Sequence, residues 1–325
     1  YFPTRRMQEE MESNFDSLMR QYPSGMEVNS LLAAKCFQLH EEHVVLGNGA
    51  AELIKCLLEE LHGTLGVIRP TFEEYANRWA SECVVYDCAQ DDFTYNAQQL
   101  ITFFSEHPVD TLVLINPDNP SGYYMEQSEI VDLLQWCKEE NKNLIVDESF
   151  LDFADEENVS LLSERILSEN PNLYVVKSIS KSYGVPGLRL GILASGNADM
   201  IGCLKKSISI WNINSMAEFF MQILDKYKAD YENSLREIKT ERKRLFEALR
   251  QIKSLKVYPS QANYFMCELL DGHTSEELAG RLLKRNILIK DLTGKIKNGR
   301  QYIRIAIRTG TENQRLVELL KEETQ

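Results

Sequence analysis

The sequence predicts an α/β protein with a large, mainly parallel sheet domain and a smaller α+β domain at the C-terminus. Short, continuous, β-branched runs alternate with amphipathic stretches from about residue 43 to 195, a pattern typical of strands buried on both faces of a parallel sheet. After about residue 216 a long charged helix and a new set of strands follow. We expect an N-terminal arm at 1–30, a large domain at 31–215, and a linking helix with the small domain at 216–325.

The individual elements follow from the apolar periodicity of each segment. In the large domain, strands are predicted at residues 44–46, 65–68, 111–115, 144–147, 174–176 and 190–194, with helices at 51–61 and 127–140. In the second part, helices are predicted at 231–249, 274–285 and 313–323, and strands at 255–258, 263–267, 287–289 and 302–307.

Composition limits the class of protein. The chain has 325 residues, of which 43% are hydrophobic and 26% charged, as in ordinary globular proteins. Its formal charge of −13 argues against nucleic acid as a partner, because phosphate backbones favour basic surfaces. No apolar run approaches the roughly 20 residues of a membrane span, so no membrane partner is expected. The seven cysteines are scattered without a C-x-x-C pair, which favours reduced thiols in a cytoplasmic protein and no metal site.

The segment Ser178-Ile-Ser-Lys-Ser-Tyr-Gly-Val-Pro-Gly-Leu-Arg189 is the most informative part of the chain. It places Lys181 among small hydroxyl side chains, with Arg189 eight positions later. This setting suits a lysine that forms a Schiff base with a phosphorylated aldehyde. The hydroxyls of Ser178 and Ser180 and the planar fork of Arg189 would hold the phosphate. The alternative is a surface lysine in a loop.

Further polar and small residues follow other predicted strands, where the carboxyl ends of a parallel sheet gather ligand-binding groups. These residues are Ala50, Ala51, Tyr75, Asn119 and Asp147. Ala50 and Ala51 would begin a helix whose N-terminus binds an anion, and Tyr75 would stack on a flat ring. Asn119 would hydrogen-bond a ring hydroxyl, and Asp147 would pair with a protonated ring nitrogen. Together with Lys181 they meet the requirements of pyridoxal 5′-phosphate. Each one alone also has an ordinary explanation as a turn, a helix cap or a core residue.

The sequence resembles fold type I pyridoxal-phosphate enzymes of the class I/II aminotransferase family, in particular the branch of histidinol-phosphate aminotransferase and threonine-phosphate decarboxylase. The resemblance covers nearly the whole chain, from Gln21-Tyr-Pro to Ala306-Ile-Arg308. It implies that Lys181 is the Schiff-base lysine. It also implies that Asp147 binds the ring nitrogen, that Asn119 binds the ring hydroxyl and that Tyr75 stacks on the ring.

The same resemblance implies a phosphate cup and a shared active site. The cup residues would be Ala50, Ala51, Ser178, Ser180 and Arg189. Tyr22 is similar to a tyrosine that reaches the phosphate of a neighbouring subunit, and Arg304 is similar to an arginine that binds the substrate α-carboxylate. We therefore expect a homodimer with shared sites, in which the N-terminal arm contributes to the interface.

Two departures from the family pattern concern the choice of reaction. The common Asp-Glu-Ala-Tyr reads Asp-Glu-Ser-Phe150 here, so a tyrosine donor to the cofactor oxygen is replaced, as in the decarboxylase branch. Arg308 lies four residues after Arg304; on one strand both would face the same side and suit a substrate with a carboxylate and a phosphate. The alternative for Arg308 is a surface ion pair. Asn214 and Asn263 also match family positions, with Asn214 expected to approach the ligand.

Three functions remain open from the sequence. The main prediction is an aminotransferase acting on a small, phosphorylated amino acid or amino alcohol. The alternative is a decarboxylase of a phosphoamino acid, and the third is a non-catalytic cofactor-binding sensor module. The chain begins without a Met or an apolar signal segment, so further sequence is expected upstream.

Overall fold

The computed structural model describes residues 1–270 and 272–324. Its strands are β1 Val44–Asn48, β2 Leu65–Arg69, β3 Cys83–Asp87, β4 Thr111–Ile115, β5 Asn143–Asp147, β6 Leu173–Lys177, β7 Leu190–Ala194, β8 Leu255–Val257, β9 Tyr264–Leu269, β10 Lys290–Asp291 and β11 Gln301–Ala306. The helices are α1 Arg5–Ser13, α2 Phe15–Arg20, α3 Met26–Phe37, α4 Ala50–Glu60, α5 Glu74–Arg78, α6 Ala97–Glu106, α7 Gln127–Glu139, α8 Glu164–Glu169, α9 Ile179–Ser182, α10 Ala198–Ser207, α11 Ser215–Ile223, α12 Lys228–Arg250, α13 Ser275–Lys284 and α14 Gly310–Glu323. Within these ranges no helix is both long and apolar enough to cross a membrane.

The large sheet has seven strands in the order β1-β7-β6-β5-β4-β2-β3. All of them run in one direction except β7, which is antiparallel to both of its neighbours. Strands β4, β6 and β7 are buried throughout, because helices cover both faces of the sheet. The predicted fold class is confirmed, and the structure adds β3, a half-exposed edge strand that the sequence analysis did not include.

The reversed strand decides where the site forms. Strands β1, β2, β4, β5 and β6 end at the same edge of the sheet, and β7 begins there because it runs in the opposite direction. In the register of β1 and β7, Asn48 lies opposite Leu190. Arg189 therefore lies beside the start of α4, although 139 positions separate it from Ala50 in the chain.

The smaller sheet is antiparallel, in the order β10-β11-β9-β8. Helices α12, α13 and α14 cover it through an apolar cluster that includes Leu249, Leu278, Ile303 and Leu320. The strand predicted at 287–289 is wrong, because the pairing begins at Lys290 and involves two residues. The domain boundaries at residues 30 and 215 stay predictions.

Candidate active site

Lys181 lies in α9, a single turn that directly follows β6. Its Nζ is 4.9 Å from the ring centroid of Phe72 and 4.8 Å from that of Phe150. Among residues 1–270 and 272–324, no oxygen accepts a hydrogen bond from this amine. The two rings shield the amine from water, while the attraction of a cation to their faces partly replaces its hydration.

Burial shifts the protonation of this lysine. Removal from water lowers the pKa of the Lys181 amine, the Asp147 carboxylate opposes the shift, and nearby arginines add to it. At a given pH, a larger fraction of Lys181 is therefore in the neutral amine form than for an exposed lysine. A neutral amine is the form that attacks an aldehyde carbon or removes a proton.

Asp147 ends β5 and is almost fully buried, with 2% of its surface exposed. Its Oδ1 accepts a hydrogen bond from the amide of Ser149 at 2.9 Å. Its Oδ2 accepts one from the Tyr75 hydroxyl at 2.9 Å. The structure thus brings Asp147 and Tyr75 together, although they are 72 positions apart, and these hydrogen bonds hold the carboxylate in one orientation.

The start of α4 forms an anion-binding site together with Arg189. Gly49 precedes this helix with φ of +78°, and a Cβ at that position would lie 2.6 Å from the Arg189 guanidinium. Only glycine lets the guanidinium approach the helix so closely. Ala50 and Ala51 supply the first amides of an 11-residue helix, whose N-terminus attracts negative charge.

In the part of the chain that the structure describes, Arg189 makes no ion pair. Glu52, in the first turn of α4, accepts a hydrogen bond from the Asn48 amide at 2.7 Å instead. Ser180 Oγ accepts a hydrogen bond from the Leu190 amide at 2.7 Å, which leaves its own proton free to be donated. The amide of Ser178 donates to Ser149 Oγ at 3.0 Å. The predicted phosphate cup is therefore brought together by β1, β6 and β7.

Asn119 follows β4 and is buried. Its Oδ1 accepts a hydrogen bond from the Arg304 guanidinium, so the amide orientation is fixed and the NH₂ group is available as a donor. Arg304 lies on β11 and packs over the Tyr264 ring, with 4.9 Å from Cζ to the ring centroid. The Tyr264 hydroxyl in turn donates to the carbonyl of Asp118 at 2.6 Å. This chain of contacts joins the small sheet to the large one at the site.

A cavity of about 270 Å³ opens beside Lys181. Besides Lys181, its lining includes Tyr1, Tyr231, Asn263, Arg308 and Glu312. The cavity therefore lies where residues from the N-terminal segment, from α12 and from the end of the small sheet meet. Of the predicted site residues, Lys181 and Arg308 line this cavity.

Arg308 is not placed as the strand argument predicted. Strand β11 ends at Ala306, so Arg304 and Arg308 do not share a strand face. The Arg308 guanidinium forms an ion pair with Glu312 at 2.9 Å, and its side chain is 66% exposed. The alternative of a carboxylate partner is the observed one, although the residue still borders the Lys181 cavity.

Asn214 also differs from its prediction. Its Oδ1 caps α11 by accepting a hydrogen bond from the Ala217 amide at 2.9 Å, and its Nδ2 donates to the Leu188 carbonyl at 3.0 Å. The side chain therefore holds the backbone next to Arg189 and does not point freely at a ligand. Tyr22 is 77% exposed and stacks on Trp211 with 4.3 Å between ring centroids.

Three contributors were missed by the sequence analysis. Ser149 links Asp147 to the Ser178 backbone, Phe72 covers the Lys181 amine, and Tyr264 supports Arg304. Phe72 lies in the segment Pro-Thr-Phe-Glu-Glu-Tyr that ends at Tyr75, and Ser149 lies in the segment Asp-Glu-Ser-Phe that begins at Asp147. Only the tertiary structure shows which of their atoms face the site.

Comparison with known proteins identifies the family. The sequence pattern of the family named "Aminotransferase class I and II" matches residues 4–321. The chain belongs to this family. The family resemblance noted from the sequence is thus confirmed, as is its cofactor, since enzymes of this fold use pyridoxal phosphate.

The relatives of this family member include several decarboxylases. The chain is 34% identical to CMP-5'-(3-aminopropyl)phosphonate synthase of Streptomyces rubellomurinus over 99% of its own length, but spans only 51% of that relative. It is 32% identical to an L-serine phosphate decarboxylase of Campylobacter jejuni, covering 91% of this chain and 78% of the relative. A solved decarboxylase from Sulfurospirillum multivorans superposes with a TM-score of 0.84 at 30% identity, covering 92% of this chain and 87% of that chain. Threonine-phosphate decarboxylases and histidinol-phosphate aminotransferases also match.

The residues present fit pyridoxal phosphate. The Arg189 guanidinium lies against the start of α4, where its charge and the helix N-terminus together suit a phosphate. The buried Asp147 carboxylate suits a protonated ring nitrogen, and the oriented NH₂ of Asn119 suits a ring oxygen.

Proposed function

We propose that this class I/II enzyme is a pyridoxal-phosphate-dependent decarboxylase of a small phosphorylated amino acid of the O-phosphoserine or O-phosphothreonine type. The observation that carries the proposal is the identity of 32% to a named serine phosphate decarboxylase over 91% of the chain. Phe150 beside the Lys181 amine supports it, since a phenylalanine at this position resembles the decarboxylase branch. The relatives favour decarboxylation over transamination, which was the main prediction from the sequence.

The cofactor would be held by groups at the edge of the large sheet. Arg189, Ser180 and the amides at the start of α4 would bind its phosphate. Asp147 would keep the ring nitrogen protonated, and Asn119 would donate to the ring oxygen. When bound, pyridoxal phosphate supplies an electron sink for the pair left at Cα after a bond there breaks.

The chemical balance of the reaction requires one proton at Cα. The bond from Cα to the carboxylate carbon breaks, CO₂ leaves, and the electron pair stays at Cα. One proton must then be added at Cα, so the products are CO₂ and a phosphorylated primary amine. We assign this proton to the Lys181 ammonium group, because its Nζ lies 4.9 and 4.8 Å from the ring centroids of Phe72 and Phe150 and the residue also lines the cavity. The two rings exclude water that would compete for the proton.

Two arginines would position the substrate. Arg304 projects from β11 towards Asn119 and would hold the carboxylate. Arg308 follows the end of β11, lines the cavity and donates a hydrogen bond to Glu312. Its guanidinium would leave Glu312 and bind the substrate phosphate. An anion with two negative charges competes with the single charge of Glu312 for this guanidinium, so the pair favours a phosphorylated substrate.

The experiment that tests the function is incubation of purified, cofactor-loaded protein with O-phosphoserine, O-phosphothreonine and histidinol phosphate, with and without 2-oxoglutarate. We expect CO₂ from one of the two phosphoamino acids without a keto acid. If product forms only when the keto acid is present, and no CO₂ appears, the enzyme is an aminotransferase and the proposal is wrong.

Replacing Arg304 by lysine should weaken substrate binding. Lysine keeps the charge but loses the planar fork that contacts two oxygens at once. We expect kcat/KM to fall by about ten- to hundredfold, mainly through KM. Steady-state kinetics with the preferred phosphoamino acid measures this. Arg300→Lys is the matched control, since Arg300 lies near the start of the same strand with 56% of its side chain exposed, and an equal loss in that variant would refute the role of Arg304.

Replacing Arg189 by glutamine should weaken cofactor binding. The variant keeps a polar side chain but removes the charge that faces the start of α4. We expect the dissociation constant of pyridoxal phosphate to rise about ten- to hundredfold, the value of a charged hydrogen bond. Absorbance titration of cofactor-free protein measures the constant. Arg20→Gln, on the surface with 76% exposure, should bind as the wild type does; unchanged affinity in Arg189→Gln would contradict the assignment.

We also propose that the enzyme works as a homodimer. Tyr22 and Trp211 form an exposed aromatic pair, and the neighbouring Met19 and Ile210 are 66% and 74% exposed. Exposed apolar surface of this kind marks an interface. A partner subunit bound there would place Tyr22 of one subunit near the phosphate cup of the other.

Subunit mixing tests the shared site. Lys181→Ala and Tyr22→Ala variants should each have low activity, while a mixed dimer should regain activity because one of its two sites keeps both residues. Sedimentation analysis should show a dimer for the wild type. If mixing restores nothing although mixed dimers form, Tyr22 does not act on the partner's site.

A further inference from the structure

Two histidines and a glutamate converge at the opposite end of β1 from the Lys181 site. His40 precedes the turn Glu41–His43 that leads into β1, and His43 ends it; their rings stack with 5.7 Å between centroids. The Nδ1 atoms of His43 and His40 lie 2.7 and 3.8 Å from the same oxygen, Oε1 of Glu164. Glu164 is the first residue of α8, far away in sequence.

The geometry is that of a metal-ligand set. One ligand atom from each residue lies within 4.8 Å of the others. A tetrahedral zinc ion with bonds of about 2.0–2.1 Å separates its ligand atoms by about 3.3 Å. The two distances to Glu164 lie on either side of that value, and the distance between the two histidine ligand atoms is at most 4.8 Å, so shifts of at most about 1.5 Å would enclose an ion.

A second carboxylate lies beside the cluster. Glu164 itself accepts hydrogen bonds from the His40 amide and from the Ser168 hydroxyl, both at 2.8 Å. Glu42 Oε1 lies 3.5 Å from His40 Nδ1 and adds a further carboxylate on the same side.

Three contacts hold the cluster together. Glu164 Oε2 accepts a hydrogen bond from the His40 amide at 2.8 Å, and Oε1 lies 2.7 Å from His43 Nδ1. The exposed His40 ring stacks on His43 and turns its Nδ1 towards the carboxylates of Glu42 and Glu164. Both histidines therefore direct a ring nitrogen towards the same carboxylate.

We propose that His40, His43 and Glu164 bind one zinc-type divalent cation, which connects the turn before β1 to α8. Neutral imidazole nitrogens and one carboxylate are a ligand set that zinc accepts, with the fourth position open to water or to Glu42. The strand β1 has five residues, so the ion would lie about 15 Å from the phosphate cup at a rise of about 3.3 Å per residue. The site is therefore separate from the pyridoxal-phosphate chemistry.

Calorimetric titration with ZnCl₂ tests this proposal. The protein should be cofactor-loaded, free of an affinity tag and stripped of metal by dialysis against a chelator. The wild type should bind one equivalent per chain. His40→Ala and Glu164→Gln should weaken binding by at least about tenfold, since even loss of a supporting partner has an effect of that size.

The variants are chosen so that folding does not confuse the result. His40 is exposed, and glutamine keeps the size of Glu164 and one of its two accepting oxygens. His62→Ala is the matched control, because His62 is an exposed histidine outside the cluster. The proposal is overturned if the wild type takes up no zinc, if both cluster variants bind as tightly as the wild type, or if His62→Ala loses the same equivalent.

Discussion

Replacing Lys181 by alanine should abolish turnover while the protein still folds. The amine lies against Phe72 and Phe150 without a hydrogen bond to any described residue, so its removal breaks no internal polar contact. Activity should fall by a factor on the order of 10³ or more, because attachment of the cofactor and proton transfer at Cα both depend on this group. The rate of CO₂ release from the preferred phosphoamino acid measures the loss.

An absorbance spectrum gives the second readout for Lys181. The band of the enzyme-bound cofactor should shift on addition of substrate in the wild type and should be altered in the Lys181→Ala protein before any substrate is added. Lys284→Ala, at an exposed position at the end of α13, is the matched control and should behave as the wild type does. A Lys181→Ala protein with the wild-type spectrum and rate would refute the account of the site.

Replacing Asp147 by asparagine should have the second largest effect. Asparagine has nearly the same shape and can still accept hydrogen bonds, but it carries no charge to hold a proton on the ring nitrogen. Without that proton the cofactor is a weaker electron sink. We expect kcat to fall by about 10²–10⁴-fold, the size of other effects that depend on a correctly placed proton.

The charge of Asp147 can be separated from its hydrogen bonding. Tyr75→Phe removes the hydrogen bond to Asp147 Oδ2 but keeps the carboxylate and an aromatic ring. Its effect on kcat should stay below about tenfold, as for loss of one hydrogen bond. If both variants lose the same activity, positioning of the carboxylate matters and its charge does not.

Much of this site was predictable because its residues lie next to strand ends. Asp147, Asn119 and Lys181 each follow a buried apolar run, and parallel strands bring such positions to one edge. The edge strand β3 was harder to predict, because only one neighbour pairs with it and its side chains are half-exposed. The two-residue strand β10 has too few residues for a periodic pattern.

The observed contacts of Arg308 and Asn214 have local physical causes. The strand argument for Arg308 assumed that β11 continues for two more residues. Instead, Thr309 caps α14 directly after Arg308, and Glu312 in the first turn of that helix pairs with the guanidinium. Asn214 is a good helix cap, and the cap of α11 uses its side-chain oxygen. The cluster of His40, His43 and Glu164 has no sequence signature, because two histidines and a distant glutamate meet only in the folded chain.

The measurement that tests the central claim most directly is the fate of a carboxyl-labelled phosphoamino acid. With O-phosphoserine carrying ¹³C in its carboxyl group and no keto acid present, the account predicts one labelled CO₂ for each phosphoethanolamine formed, with the nitrogen kept in the amine. Retention of the label in a phosphorylated keto acid, formed only when an amino-group acceptor is added, would contradict it.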